Sequence, residues 1–598
     1  MTKKIINDFS ITVGTANGSG SQTSNTTLLR ALFKMGIPVS GKNLFPSNIQ
    51  GLPTWYTIRV NKDGFTARRE EQEIVIAMNP ASFAHDLADV APGGVFFYAD
   101  DIKQPISRED ITAYPMPVKQ VVRSDPNVSS NLRDMVANMV YVGILAKMIG
   151  IDMDAIHSSL NVHFKGKQKA VDLNFNVAKA GFDWAAANLE KKDPFYVEPM
   201  DKTGGMIMAD GNTAAALGSI YGGVQFVGWY PITPATSLAE SLNEYLPQLR
   251  KTEAGKNTYA VIQAEDELAA IGMCIGAGFS GLRSMTSTSG PGLSLMTEFT
   301  GLAYYTEVPV VIWDVTRIGP STGLPTRTSQ ADLTFTAFMG HGDTQHIILL
   351  PGSVSECFEF GWRSFDIAER MQAPVFVLSD LDFGMNQWMT EPFKFPDAPM
   401  DRGKVLWEED VERLKGQWAR YLDKDGDGIG YRSIPGNKHP MGSYFLRGTG
   451  HDENARYTED AATWARVMDR LKKKYETAKA YVPNPVIKKM PGAKTGIIAF
   501  GSTRPAVEEA QYLLNKEFGL KTDFLRLRAI PFTDEVADFM KKHDRVYVVE
   551  LNRDGQLRQL LTLTFPESAT RLVSVAHSDG LSATAKWIVN TIRDKEEK

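Results

Sequence analysis

Residues 308–333 read VPVVIWDVTRIGPSTGLPTRTSQADL, and their order decides the fold class. The opening run is apolar and rich in valine, the pattern of a strand buried on both faces. It delivers Arg317 to its end and gives way to a Gly/Ser/Thr/Pro loop. Comparable runs stand around it: VQFVGWYP, YAVIQAEDE, RSMTSTSG, HIILLPG and PVFVLSD, with helical patterns such as NTAAALGSIYGG between them. Buried strands alternating with helices predict a parallel sheet covered on both faces. Open sheets of this kind bind ligands at the carboxyl ends of their strands. Arg317 is therefore a candidate site residue from its position alone.

Outward from this block the alternation recurs twice, so the expected fold is α/β, built from several doubly wound parallel-sheet domains. Residues 1–190 form a first block, with Phe9–Val13, EIVIAMN and GVFFYAD as strands and helices at about 132–148 and 171–189. The middle block spans 191–390 and begins after the Pro/Gly-rich segment FYVEPMDKTGGM. Residues 391–490 lack regular periodicity and read as a connection with an acidic DKDGDG loop. Residues 491–598 return to the βαβ pattern through TGIIAFG, KTDFLRLR, RVYVVEL and RLVSVAH.

Composition narrows the function classes. The 598 residues carry 65 Lys+Arg against 70 Asp+Glu, a net charge of −5, which argues against a nucleic-acid partner. Two cysteines, Cys274 and Cys357, are too few for a cluster or a disulfide framework. The N-terminus shows no long apolar signal region, and the most membrane-like stretch, 135–150, is too short to span. A cytoplasmic location without membrane association is expected.

Four motifs of the middle block carry chemistry. In YPITP two prolines stiffen the loop after a strand and hold Thr233 where its hydroxyl and N–H can meet a ligand; a capping threonine in a stiff loop reads as well. In AEDELAAIG the acids open a helix, a placement the dipole favours. Glu267 falls where that helix turns apolar, so a buried, proton-exchanging carboxyl and plain helix-start decoration are both open. TSTSGPG (286–292) reads as an anion or cofactor turn or as an N-cap. Arg317 suits bidentate carboxylate binding or a domain-interface salt bridge.

Taken together and in this order, YPITP, EDELAAIG, TSTSGPGLSLMTE and TRIGPSTGLPTRTSQADL resemble the α subunit of 2-oxoacid:ferredoxin oxidoreductases, particularly the 2-oxoglutarate type. The resemblance extends to the C-terminal block, which is similar to a transketolase C-terminal domain, and the first block looks like the family's γ domain fused in front. It implies that residues 191–390 are the pyrimidine-side domain of a thiamine diphosphate enzyme. Glu267 would then contact the cofactor's pyrimidine N1′, and Arg317 the substrate's C1 carboxylate. Thr233 would touch substrate or cofactor, and Thr326 would take part in substrate selection. The implied reaction is the coenzyme A-dependent oxidative decarboxylation of 2-oxoglutarate to succinyl-CoA and CO₂, with electrons passing to ferredoxin, or its reductive reverse. A β subunit would carry most of the Mg²⁺–diphosphate site and a [4Fe–4S] cluster, in an (αβ)₂ assembly.

Two places depart from the pattern. The first-block loop GTANGSG, with Gly14, Gly18 and Gly20, misses the G-x-G-x-x-G spacing and reads as a structural strand–helix turn. In the connection, Asp423, Asp425 and Asp427 hold calcium-loop positions 1, 3 and 5, but Ile434 stands where the bidentate Glu belongs. Asp452 or Glu453 is a conceivable further ligand; an acidic solvated turn is the alternative. Gly426–Gly428 with Asn454 imitates the Mg²⁺–diphosphate signature but follows no apolar strand, so the diphosphate half is expected on another chain. His341 and His346 read as structural. Two competing functions remain open: the same chemistry on pyruvate or another 2-oxoacid, and a non-catalytic scaffold subunit of a redox complex.

Overall fold

The computed structural model describes residues 3–597 except 48–50, 125, 127 and 416. Three main sheets follow one another along the chain. The middle sheet has seven strands in the order 260–263, 226–229, 284–288, 310–316, 374–380, 347–349, 529–530, all parallel except the last. That last strand, Ala529–Ile530, comes from the C-terminal region and pairs antiparallel with Ile347–Leu349. The C-terminal sheet has five strands, four of them parallel, with Val486–Lys488 added antiparallel at one edge. Each strand read from an apolar run in these two regions forms; the central ones, such as Val310–Thr316 and Pro374–Asp380, are buried on both faces, while the edge strand Ala260–Gln263 is partly exposed. Outside the main sheet, Ile207–Ala209 pairs antiparallel with Trp388–Thr390.

The first block departs from a purely parallel reading. Its six strands run 39–44, 53–61, 8–16, 72–77, 90–99, 112–116, and Pro53–Asn61 is antiparallel to both neighbours. VSGKNL is mostly polar and PTWYTIRVN alternates polar with apolar residues, so neither reads as an unbroken apolar run. The helical stretch expected over 132–148 is broken into Arg133–Val136 and Met139–Ile149, and Met153–His163 is a further helix. Met139–Ile149 is buried along nearly its whole length. It lies so close to Gln168–Asn188 that a Cβ at Gly143 would stand 1.7 Å from the Ala178 carbonyl oxygen. No helix among the described residues is long and apolar enough to cross a membrane.

Polar contacts tie the regions together. Arg59 meets Glu509 through two bonds of 2.6 Å, and Lys42 meets Asp382 at 2.6 Å. Gln330 donates to Phe500 O and accepts from Leu551 N–H, joining the middle and C-terminal sheets. The connecting segment is anchored by the helix Ala461–Thr477, whose Arg470 and Lys474 reach Glu307.

Candidate active site

The winding of the middle sheet places the site. From Phe226–Trp229 the chain moves to the edge strand Ala260–Gln263, then returns across to Ser284–Thr288 and proceeds the other way. Strands 226–229 and 284–288 therefore flank a switch point, and their outgoing loops open a crevice at the carboxyl edge. YPITP leaves the first and SGPG the second. Glu267 follows the edge strand, and Arg317 follows Val310–Thr316 one strand beyond.

Thr233 and Arg317 meet there: Arg317 Nη1 donates to the Thr233 carbonyl at 2.7 Å. The Thr233–Pro234 peptide is cis. Arg317 is 7% exposed, and its Nε has no acceptor among the described residues. Burial pulls the guanidinium below its usual pKa, with Asp332 opposing. A guanidinium cannot shed its proton in a protein, so this is a buried cation with donors to spare, suited to an anionic group. Glu267 opens the helix Glu267–Phe279 while its neighbour Asp266 supplies the cap, accepting from Ala269 N–H at 2.7 Å. Glu267 is thus not spent on capping. It is buried, and its carboxyl packs on Gly292, where a Cβ would stand 3.2 Å from Oε1 and 2.0 Å from Thr288 Oγ1. Glycine is required at 292 for that approach. The hydroxyls of Thr286, Ser287 and Ser289 are likewise buried without a protein partner.

Thr326 lies elsewhere, in the loop that folds back beside Thr316. It lines a cavity of about 420 Å³ between the first block, the middle sheet and residues 580–582. Lys42, Trp55, Arg68 and Arg327 share that cavity. Arg327 Nη1 donates to Thr326 Oγ1 at 3.1 Å.

Lysines answer the carboxylates of the acidic loop. Lys404 Nζ stands 2.7 Å from Asp425 and 2.8 Å from Asp427, Asp423 caps the N–H groups of Gly426 and Asp427, and Lys473 approaches Asp423 at 3.5 Å. An ammonium fills the place the spacing assigned to a divalent ion, and no group of three metal-type ligands occurs among the described residues. His346 is buried, its Nε2 2.6 Å from Met339 O, and burial pushes it down to about 4. Both cysteines are fully buried, and burial pushes the Cys274 thiol up to about 12.

Known proteins match these regions. The family described as "Pyruvate flavodoxin/ferredoxin oxidoreductase, thiamine diP-bdg" covers residues 217–399, and "Pyruvate ferredoxin/flavodoxin oxidoreductase" covers 10–184. The α subunit of 2-oxoacid:ferredoxin oxidoreductase 2 from Aeropyrum pernix is 29% identical over 93% of this chain and 92% of its own. The 2-oxoglutarate synthase subunit KorA of Methanothermobacter thermautotrophicus is 35% identical over 57% of this chain and 86% of its own. The chain belongs to the 2-oxoacid:ferredoxin oxidoreductase family. It is an α-subunit chain of these oxidoreductases with a thiamine diphosphate-binding domain. The solved 2-oxoglutarate:ferredoxin oxidoreductase from Magnetococcus marinus, with 2-oxoglutarate, coenzyme A and succinyl-CoA bound, superimposes with a TM-score of 0.87 at 29% identity, over 98% of this chain and 99% of that one.

Two pairs of residues in this oxidoreductase chain escape motif reading. Lys42 and Arg68 reach the cavity from the first block, which carries no recognised signature. The charge of Asp332 reaches Arg317, and Asp314 meets Asp332. Asp314 did leave a signal, as a charged residue inside the apolar strand VVIWDVT.

Proposed function

We propose that this chain is the α subunit of a thiamine diphosphate-dependent 2-oxoglutarate:ferredoxin oxidoreductase. The reaction is 2-oxoglutarate plus coenzyme A to succinyl-CoA and CO₂, with electrons leaving to ferredoxin, and it is available in reverse from a low-potential donor. The observation that carries this reading is the pairing, at one switch point, of a buried Glu267 that caps nothing with a buried Arg317 whose Nε lacks an acceptor. The donor set fits the pyrimidine half of the cofactor: a buried carboxyl, a close-approach glycine and free hydroxyls. Bound thiamine diphosphate supplies the carbanion chemistry. Glu267 holds the proton at the pyrimidine nitrogen, Arg317 binds the substrate's C1 carboxylate, and Thr233 lines the same crevice.

The cavity at Thr326 suits coenzyme A. Arg68 and Arg327 offer charge to phosphates and Trp55 a flat face to a base, and Thr326 would help select the substrate beside it. A β subunit supplies the Mg²⁺–diphosphate site and a [4Fe–4S] cluster in an (αβ)₂ assembly. This agrees with a strandless lead-in to Gly426-Asp-Gly428 and with the exposed apolar residues Tyr230, Ile262, Leu268 and Leu295 around the crevice. Turnover of the reconstituted complex on 2-oxoglutarate, pyruvate and branched 2-oxoacids tests the substrate. A preference for anything but 2-oxoglutarate overturns it.

A further inference from the structure

Asp314 is fully buried within Val310–Thr316, and no donor among the described residues reaches either of its oxygens. The side chain within hydrogen-bonding range is another carboxyl, that of Asp332, whose Oδ2 is shielded from solvent. Asp332 stands at the N-cap of Leu333–Ala337, where an aspartate ordinarily accepts a helix N–H, yet its side chain makes no cap bond. It turns instead toward Asp314 and against Gly290, where a Cβ would stand 2.8 Å from Oδ2. Two carboxylates that close cannot both be ionised; one of them has to donate.

The charged surroundings are sparse. Arg317, at the end of the same strand, is the cation whose field reaches Asp332. The helix Gly290–Thr306 has no acidic residue in its first turn and offers only N–H groups. Glu267 lies against Gly292, and Asp380 on the neighbouring strand turns to Phe383 N–H and Ser502. The C-terminal helix Gln556–Thr564 contributes an amide, Gln556, which binds Thr334 N–H and Ala331 O.

We propose that Asp332 is a positioning residue for Arg317: Asp314 and Asp332 share one proton, and the single negative charge left on the pair is the counter-charge of the substrate-binding guanidinium. A direct ion pair would occupy the nitrogens that a substrate carboxylate needs. No carboxylate lies within 4 Å of Arg317 among the described residues, and a buried cation without any counter-charge is costly. A charge held slightly farther off steadies the guanidinium and leaves its donors open. The inference rests on reading Arg317 as the carboxylate site.

The test is kcat/KM for the 2-oxoacid against pH in the reconstituted complex at saturating coenzyme A. Burial pushes Asp332 up to about 6 and Asp314 well above the usual carboxylate range. The native enzyme should therefore show two limbs that belong to the pair: an acid limb as a second proton binds, and an alkaline limb as the shared proton leaves. Asp314→Asn, which keeps a donor to Asp332 but cannot ionise, should lose the alkaline limb and keep the acid one. Asp332→Asn should lose the acid limb and raise KM about tenfold, with a smaller change in kcat. Both limbs persisting in Asp314→Asn, or a KM within twofold of native in Asp332→Asn, overturns the proposal. If Asp332→Asn does not assemble, the limbs of Asp314→Asn decide alone. Arg317→Ala separates the two readings: an unchanged KM there removes the carboxylate site itself, whatever the pair does.

Discussion

The two ends of the helix Gly290–Thr306 bury charge by opposite rules. At its C-terminus Glu307 is fully buried and completely answered: Arg470 Nη1 and Nη2 lie 3.1 and 2.5 Å away, and Lys474 Nζ 2.8 Å. A carboxylate is poorly placed at a helix C-terminus, and Arg420 helps by donating to the carbonyls of Thr306 and Glu307 at 3.3 and 2.8 Å. At the N-terminus Glu267 and Arg317 are buried and Asp314 fully so, but among the described residues Arg317 Nε finds no acceptor and Asp314 faces only another carboxyl. The lesson is about satisfaction, not burial. A charge whose partners all come from the chain holds the chain together, whereas one left incomplete is set for something that arrives later.

The sharpest way to break this contrast is Glu267→Gln in the complex with the β subunit. Turnover should fall by about 10³-fold, within the range for losing a proton-holding group, while the complex still assembles on a sizing column. Retained turnover would favour the scaffold reading. The opposite end should respond in the opposite currency. Glu307→Gln leaves Arg470 and Lys474 unanswered and should cost about 3 kcal/mol of stability, with KM for the 2-oxoacid unmoved. Its pH dependence has a definite sign. Arg470 and Lys474 hold the Glu307 carboxyl well below the usual range against the pull of burial. The native-minus-variant difference should therefore be full above about pH 4.5 and shrink as the pH falls below it. Thermal melts of both proteins across acid pH would show it, and a difference that grows on acidification would reverse the assignment.

Much of this contrast was legible from residues alone, and the limits have physical reasons. The position of Arg317 was readable because a parallel strand delivers the residue after it to a known edge, and the burial of Glu267 because its helix turns apolar at that point. The strands of VPVVIWDV or RVYVVEL were readable because burial on both faces leaves an unbroken apolar run. VSGKNL and PTWYTIRVN were not, since their polar residues interrupt the apolar run even though the strands are largely buried. The Asp314–Asp332 meeting was invisible for another reason. It depends on a loop folding back, through Ile318 N–H to Arg327 O and Thr316 Oγ1 to Ser329 O, and no local pattern encodes that return.

Arg317→Ala probes the contrast at a smaller scale. Loss of charge-assisted bonds to a carboxylate should weaken 2-oxoacid binding by about 2 kcal/mol, read as a rise in KM of about 30-fold with KM for coenzyme A unchanged. Arg68→Ala should do the reverse if the cavity holds coenzyme A, raising KM for that substrate alone.

The smallest effect belongs to the acidic loop, a third case that tests whether satisfaction is the right criterion. Asp423, Asp425 and Asp427 resemble an ion site by spacing, yet Lys404 and Lys473 already stand against them. A site that bound calcium at one hundredth of the ion concentration supplied would gain about 2.7 kcal/mol on addition of the metal. By the rule drawn from the helix ends, addition of calcium or of a chelator should leave the melting temperature unmoved. Lys404→Ala should cost at most about 1 kcal/mol, because its partners are partly solvated. In that variant Asp425 and Asp427 lose the ammonium that answers them. If satisfaction governs, calcium should then begin to stabilise the loop, weakly and only there. A native protein that gains stability with calcium would show that counting partners does not separate structural charge from functional charge.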